Sequence, residues 1–222
     1  MLVSAIEGHR LWADSYEASP NPLLALETRL LREIFGFVPS MRVVDVACGT
    51  GRWAAYFAAR GADVLGIDFC REMLQHAPIN LRGRLVLGRA DALPAASRTA
   101  DLAICCFAAG YFSNLERAIA EMARITRSGG RVVITDLHPA AVAAGWTRSF
   151  RANGRLYEIE HFGHSLERIG AATLQAGLKF AFEAHGRFGE RERPIFEAAG
   201  KPERFAQVSA TPAVWIGSWR KP

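Results

Sequence analysis

The stretch from residue 41 to residue 52 constrains the fold more than any other. An apolar run, Met41-Arg42-Val43-Val44-Asp45-Val46, enters Ala47-Cys48-Gly49-Thr50-Gly51, and a helical pattern starts at once at Arg52. A strand that turns through glycines into a helix belongs to a chain alternating the two element types. Such chains build a mostly parallel sheet covered by helices on both faces.

The remaining pattern keeps that alternation. A first helix is expected from Pro22, capped by Asn21 and ended by Gly36, with Leu23, Leu26, Leu30 and Ile34 as its apolar stripe. Strands are expected at 41–46, 63–67, 84–88, 102–107 and 131–135. Helices are expected at 52–60, 70–77 and 114–127, the second stopped by Pro78 and the third by Gly129-Gly130. The rhythm then breaks. Residues 137–164 read as irregular, followed by a helix from the Ser165 cap to residue 176, a sixth strand at 178–184, a short helix after Pro194 and a last strand at 211–219. The expected fold class is therefore α/β: a doubly wound, mostly parallel, seven-stranded sheet with a C-terminal antiparallel strand. One domain is expected over 1–222, with a helical cap at 1–40 and an insertion at 137–164 on the substrate side.

Composition supports a folded chain with one core: 222 residues, half of them hydrophobic. The longest apolar run, 102–112, is interrupted by Gly110 and is too short for a bilayer. Glu7 and His9 stand where a secretory leader needs apolar residues, so a cytoplasmic protein without membrane attachment is expected. Cys48, Cys70, Cys105 and Cys106 form no C-x-x-C pair and read as buried free thiols. The net charge of +5 invites a nucleic-acid reading. Against it, the arginines are dispersed, often beside Glu or Asp, the only lysines are Lys179, Lys201 and Lys221, and no aromatic–basic RNA motif appears.

The glycines of the turn let backbone approach a ligand closely, and free amides at the following helix start favour an anion. Together they point to an adenosine-type cofactor. Gly49-Thr50-Gly51-Arg52-Trp53-Ala54 also fits the dinucleotide pattern G-x-G-x-x-A, and Asp68 could grip a ribose in either case. Three features separate the two. Asp45, four residues before the glycines, suits a cationic ammonium and would repel a pyrophosphate. Asp91, just past the third strand, can accept from an adenine amino group. The closing order of helix, strand, polar stretch and strand suits a terminal antiparallel hairpin.

These segments resemble the class I S-adenosylmethionine-dependent methyltransferases of the small-molecule type. Asp45-Val46-Ala47-Cys48-Gly49-Thr50-Gly51 resembles the first motif of that family, Asp68 with Arg71-Glu72-Met73-Leu74 its second, and Asp91-Ala92-Leu93-Pro94 its third. The resemblance covers residues 41–136 with specificity and the flanks loosely. It implies S-adenosylmethionine as cofactor. Ala47, Gly49 and Gly51 would line its methionine moiety, with Asp45 near the ammonium. Asp68 would hold the ribose hydroxyls, Asp91 with the Ala92 amide would read the adenine, and Phe69 and Met73 would pack on the adenine face. Phe107 would face the junction of cofactor and acceptor. The Asn/Asp-Pro-Pro-Tyr motif of base and amide methylating members is replaced by Phe107-Ala108-Ala109-Gly110-Tyr111, which argues against base N-methylation.

Several flanking residues carry two readings each. Tyr16 either contacts the cofactor or, with Trp12, packs the first helix on the sheet. His138, just past the fifth strand, is the candidate general base for an acceptor, the alternative being a loop histidine bonded to backbone. His161 and His164 read as loop residues rather than metal ligands, and no metal site is expected. Arg148 and Arg151 suit an acidic acceptor or simple solvation, and Asp101 lies at the wrong end of its strand for chemistry. The expected activity is methyl transfer to a small-molecule acceptor, hydrophobic or aromatic. The alternatives are a protein or RNA methyltransferase and a non-catalytic S-adenosylmethionine-binding protein.

Overall fold

The computed structural model describes residues 1–36 and 39–222, so Phe37 and Val38 of the expected 1–40 cap lie outside the described residues. The chain opens with β1 (Leu2–Val3), α1 (Ala5–Trp12) and α2 (Pro22–Phe35). Next come β2 (Arg42–Val46), α3 (Arg52–Ala58), β3 (Asp63–Asp68), α4 (Arg71–Gln75), β4 (Leu85–Leu87) and β5 (Ala100–Cys106). Then follow α5 (Leu115–Ile125), β6 (Thr126–Leu137), α6 (Pro139–Ala143), β7 (Ser149–Ala152), β8 (Arg155–Ile159) and α7 (Leu166–Gln175). The end of the chain holds β9 (Lys179–Gly186), α8 (Arg193–Ala198), α9 (Pro202–Val208) and β10 (Val214–Arg220).

The main sheet has seven strands in the order β4-β3-β2-β5-β6-β10-β9. Its first five strands run parallel, and β10 pairs antiparallel with both β6 and β9. The order reverses direction at β2, and the crevice for a ligand opens there beyond the carboxyl ends of the strands. Strand β2 is buried on both faces, Val43 through Val46 being 2% exposed or less, which is why it reads as a continuous apolar run. Strand β10 alternates instead. Trp215 and Trp219 enter one core, and Val214 and Ile216 the other.

The helices follow their expected stripes, with one shift. Asn21 Oδ1 accepts from the Leu23 and Leu24 amides, and Pro22 takes the first helical position. The buried face of α2 is Leu26, Glu27, Leu31 and Phe35, one notch round from the expected stripe. Leu30 lies against Gly186, where a Cβ would stand 2.5 Å from Leu30 Cδ1. In α5 the expected face holds: Leu115, Ala118, Ile119, Met122 and Ile125 are buried.

Three stretches depart from the sequence reading. Helix α5 stops at Ile125 and β6 begins directly at Thr126, because Gly129 and Gly130 bend the strand rather than end the helix. A Cβ on Gly130 would come within 3.1 Å of the Ala100 carbonyl in the neighbouring strand. The stretch after Pro194 holds two helices, α8 and α9. The third departure is residues 137–164, which are not irregular. They contain α6 and the hairpin β7–β8, turned at Asn153-Gly154 with both residues at positive φ, 50° and 73°. That is the geometry Asn-Gly favours in a two-residue hairpin.

The N-terminus completes a second sheet of three strands, β1-β8-β7, with β1 parallel to β8. Helix α1 lies on this sheet. Trp12 stacks on Phe150 at 4.9 Å, and Gly8 sits so close to Ile159 that a Cβ there would be 2.7 Å from its Cγ1. The N-terminal segment and the insertion thus form one roof over the carboxyl ends of the main strands. Among the described residues, no helix is long and apolar enough to cross a membrane.

The close approach at Gly8 gives a direct test of the roof. Gly8→Val adds atoms where none fit, at a cost of about 1–3 kcal/mol. The strain falls on the α1–β8 contact and not on the main sheet. Limited proteolysis should cut the first residues faster, while the main thermal unfolding transition moves little. A large drop in melting temperature with no change in cleavage would contradict this division.

Candidate active site

The cleft lies at the carboxyl ends of β2, β3 and β5, beneath α1 and the turn that follows it. Two adjoining chambers compose it, and Ala47, Phe69 and Tyr111 line both. The inner chamber collects Tyr16, Asp45, Gly49, Arg52, Asp68, Met73 and Phe107. The outer one, of about 180 Å³, collects Phe69, Gly88, Asp91, Phe112 and Asn114. Most of the residues expected to bind cofactor are therefore brought together.

The glycine turn works through its backbone. Ala47, Gly49 and Gly51 all have positive φ, 56°, 58° and 82°. For Ala47 this is an uncommon conformation, of the kind that clusters at ligand sites. At Gly51 a side chain is excluded twice, by φ and by Leu81, whose Cδ1 would be 2.6 Å from a Cβ. Met73 is 1% exposed, and its Cε would stand 3.2 Å from a Cβ on Gly49, so it supports the turn from below as well as lining the chamber.

Two acids anchor the turn. Asp68 Oδ2 accepts from the Gly49 amide at 2.7 Å and Oδ1 from the Cys70 amide at 2.8 Å. Burial raises its pKa, and these backbone donors oppose the shift. Asp45 is 2% exposed, and its Oδ2 accepts from the Ala54 amide at 3.0 Å. Its other oxygen has no hydrogen-bond partner among the described residues yet is not sealed off, so it opens into the chamber. Burial pushes the Asp45 pKa up to about 7, against the Ala54 bond and the nearby Arg52. A buried carboxyl with one bare oxygen suits an ammonium group, and so these residues fit the cofactor that the resemblance implies.

Asp45 takes one amide of the helix start, that of Ala54. The cation in the chamber is Arg52, which sequence reasoning passed over. It is held by Glu27, a fully buried acid on α2 that was also missed. Glu27 Oε2 accepts from Arg52 and, at 3.2 Å, from Trp53 Nε1, while Oε1 accepts from the Thr135 hydroxyl. Burial opposes the Arg52 charge, but Glu27 outweighs it and raises the pKa. The signal was present: an acid standing inside the apolar stripe of α2. Tyr16 lies in the chamber, where burial raises its phenol pKa. Beside it Glu17 accepts from the Thr50 hydroxyl.

The adenine end differs in detail from expectation. Asp91 lines the outer chamber but is gripped by Arg89, at 2.9 Å and 2.8 Å, which lowers its pKa. The Ala92 amide is not free. It closes a turn onto the Arg89 carbonyl at 3.2 Å, and Ala92 does not line the chamber. Phe69 is 37% exposed at the mouth, as a residue waiting for a flat partner would be.

His138 is a correction. It lines none of the cavities that bound the cleft, and both ring nitrogens are engaged. Nδ1 accepts from the Ala140 amide at 3.0 Å, capping α6, and Nε2 meets His185 Nδ1 of β9 at 2.9 Å. The ring faces the antiparallel edge of the sheet because Pro139 starts α6 immediately. It caps α6 and does not line the cofactor cleft. His164 Nε2 pairs with the Phe112 carbonyl at 2.9 Å, as a loop histidine does.

Behind the cleft lies a further cavity of about 230 Å³. Leu137, Pro139, Val142, Phe162, Ile169 and Trp215 are among its apolar lining, and His161, His164 and Ser165 line it too. Arg148 and Asp136 stand between it and the cofactor chamber. Arg148 pairs with Asp136, donates to the Phe107 carbonyl at 2.6 Å, and lies over the Tyr111 ring at 4.5 Å. Phe107 itself has φ 55° and donates its amide to the Thr135 carbonyl, so the junction it was expected to face is rigidly built.

Two outcomes follow from these charges. S-adenosylhomocysteine carries the ammonium of the implied cofactor, so its binding favours ionised Asp45. Below the raised pKa the free protein holds a proton there that binding must release. Calorimetric affinity should therefore fall by up to about tenfold per pH unit between about pH 7 and pH 5. Asp45→Asn should bind weakly without that slope, and a flat wild-type profile would contradict the assignment. Separately, Arg52→Met leaves Glu27 buried without a cation and should cost about 3–5 kcal/mol in denaturant unfolding. Adding Glu27→Met should recover much of that loss; an additive loss would contradict the pairing.

Comparison with known proteins agrees with this geometry. Residues 44–134 match the methyltransferase domain family. The chain is 31% identical over 191 residues to a demethylmenaquinone methyltransferase of Deinococcus radiodurans, covering 81% of this chain and 76% of that one. It is 36% identical over 136 residues to the enzyme of the same name from Renibacterium salmoninarum, where the match spans 57% of this chain and 56% of the relative's length. Among solved structures, an S-adenosylmethionine-dependent methyltransferase from Mesorhizobium loti superposes with a TM-score of 0.68 at 20% identity, over 90% of this chain and all of that one. With the strand–turn–helix, the two buried acids and the terminal antiparallel hairpin, these matches establish that the chain belongs to the class I S-adenosylmethionine-dependent methyltransferase family.

Proposed function

We propose that this chain transfers the methyl group of S-adenosylmethionine to a small-molecule acceptor with an apolar or aromatic body. The observation that carries the reading is the cavity of about 230 Å³ at the Arg148–Asp136 pair, lined by aliphatic and aromatic side chains together with His161, His164 and Ser165. Sites of this make-up, apolar walls with a few placed polar groups, suit small apolar ligands. The demethylmenaquinone methyltransferases among the relatives lend the small-molecule class further support.

The cofactor supplies an activated sulfonium methyl, so the protein's task is alignment and exclusion of water. Asp45 holds the ammonium, Asp68 the ribose hydroxyls, and Phe69 with Asp91 the adenine. Arg52 stands where a carboxylate would sit. The roof of α1 and the β7–β8 hairpin shuts out solvent. Protein and RNA acceptors fit less well. The net charge of +5 is broken up by ion pairs such as Arg89–Asp91, Arg168–Glu116 and Arg193–Glu190. An RNA reader needs an unbroken basic face.

Incubation with methyl-labelled S-adenosylmethionine and a fractionated metabolite extract tests the reading. Label should pass into a low-mass product that partitions into organic solvent, and label in protein or RNA instead would overturn the proposal. Val142→Trp, which fills the cavity, should abolish transfer while leaving S-adenosylhomocysteine affinity within about twofold, since Val142 lines the cavity and not the cofactor chamber. Unchanged turnover in that variant would move the acceptor elsewhere.

A further inference from the structure

Sequence reasoning assigned no chemical role to His9, in the roof. The structure places it in the inner chamber with Asp45, Phe107 and Tyr111. Nδ1 lies 2.7 Å from the Ala5 carbonyl, one helical turn back. A carbonyl can only accept, so Nδ1 carries the hydrogen and Nε2 presents a bare lone pair. Nε2 has no hydrogen-bond partner among the described residues and is not among their sealed, unpartnered polar atoms. The ring is fixed edge-on to Tyr111, with centroids 4.8 Å apart at 90°, and more loosely to Phe69 at 6.5 Å. The Arg148 guanidinium lies 4.5 Å from the centroid of the same Tyr111 ring, so a lone-pair acceptor and a cation flank one aromatic side chain. That ring lines the cleft just where it meets the partition to the acceptor cavity.

We propose that His9 is a catalytic residue and that the acceptor presents a hydroxyl, phenolic or enolic, whose proton His9 Nε2 takes. The inference rests on the methyltransferase reading above and narrows its acceptor. In the step, the hydroxyl oxygen forms a bond to the methyl carbon, and the methyl–sulfur bond breaks with its electron pair left on sulfur. The O–H proton passes to Nε2, and the imidazolium then returns it to water. A neutral ring is required beforehand. Burial chiefly, with the Arg148 charge, lowers the His9 pKa to about 4, against the Ala5 bond; the ring is therefore neutral but weakly basic, and it takes the proton as the oxygen–methyl bond forms and the hydroxyl turns strongly acidic, not before. Arg148, its charge partly offset by Asp136, disfavours an amine acceptor, whose nitrogen becomes a cation as its bond to the methyl carbon forms, whereas a hydroxyl that gives its proton to His9 ends neutral. Asp45, Asp68 and Arg52 already offer partners for the polar groups of the cofactor, and none of them offers a neutral lone pair.

The test uses the full chain with naphthol and naphthylamine as probes. Naphthol should be methylated and naphthylamine not. His9→Ala should lower kcat on naphthol by about 10²–10⁴ while S-adenosylhomocysteine affinity stays within about twofold of wild type. His9→Gln, whose amide oxygen accepts a hydrogen bond but no proton, should restore KM and not kcat. Nitrogen-15 NMR of the S-adenosylhomocysteine complex reads the ring without turnover, and should show Nδ1 protonated and Nε2 bare at neutral pH. A large loss of S-adenosylhomocysteine affinity in His9→Ala would make His9 a cofactor contact and overturn the proposal. So would an Nε2–H tautomer, a preference for naphthylamine, or methylation of neither probe by wild type that still binds S-adenosylhomocysteine. Failure of wild type to bind S-adenosylhomocysteine at all would instead overturn the methyltransferase reading itself.

Discussion

The buried carboxylate of Glu27 is the interaction on which the site depends. One side chain from α2 reaches Arg52 and Trp53 at the start of α3 and Thr135 on β6. Thr135 Oγ1 in turn accepts from the Phe107 amide at 3.1 Å. The floor of the inner chamber is thereby tied to α2, and the same contact holds the Arg52 guanidinium at its wall. Burying an acid this deeply is costly, and three donors satisfy it. Removing any one donor loosens two elements at once, so the arrangement is either complete or unsound.

Backbone strain and backbone hydrogen bonds shape the rest. The left-handed Ala47 and Gly49 bring the chain near enough for Asp68 to accept from the Gly49 amide, while Phe107 takes the same conformation across the cleft. The glycines bring main chain to the chamber wall between the side chains of Asp45, Arg52 and Asp68. Asp45 serves both ends of the turn. One oxygen holds the helix start through Ala54, and the other faces the inner chamber.

Much of this was legible in the sequence, for identifiable reasons. Strands β2, β3 and β5 are apolar because both faces are covered, and the acids at their ends stand out against that background. Asp45 and Asp68 stood out by that contrast, while the roles given to them and to Gly49 came from the family resemblance. The Ala92 amide could not be read from sequence, since it is used up by a turn that only the path of the chain reveals. His138 misled because its position along the strand was right while its direction was set by Pro139 and by His185, a residue 47 positions away. The roof was obscured by long-range pairing: β1 is two residues long and exists only because β8 lies beside it. Its hairpin was signalled by Asn153-Gly154, and Glu27 by being an acid on an apolar stripe. Both signals were local and were outweighed by the apparent irregularity around them. His9 carried no signal, because a lone histidine in a short amphipathic helix is ordinarily a surface residue.

The central claim is that the cleft between Asp45 and Asp91 is built around S-adenosylmethionine, with the ammonium on the bare oxygen of Asp45. A crystal structure of the chain with S-adenosylhomocysteine tests it most directly. The account predicts the ammonium within hydrogen-bond distance of Asp45 Oδ1, the ribose hydroxyls on Asp68 and the adenine between Phe69 and the Asp91 turn, with the Asp45–Ala54 bond intact. A ligand bound in another cavity, or bound in this cleft with Asp45 making no contact to it, would contradict the account.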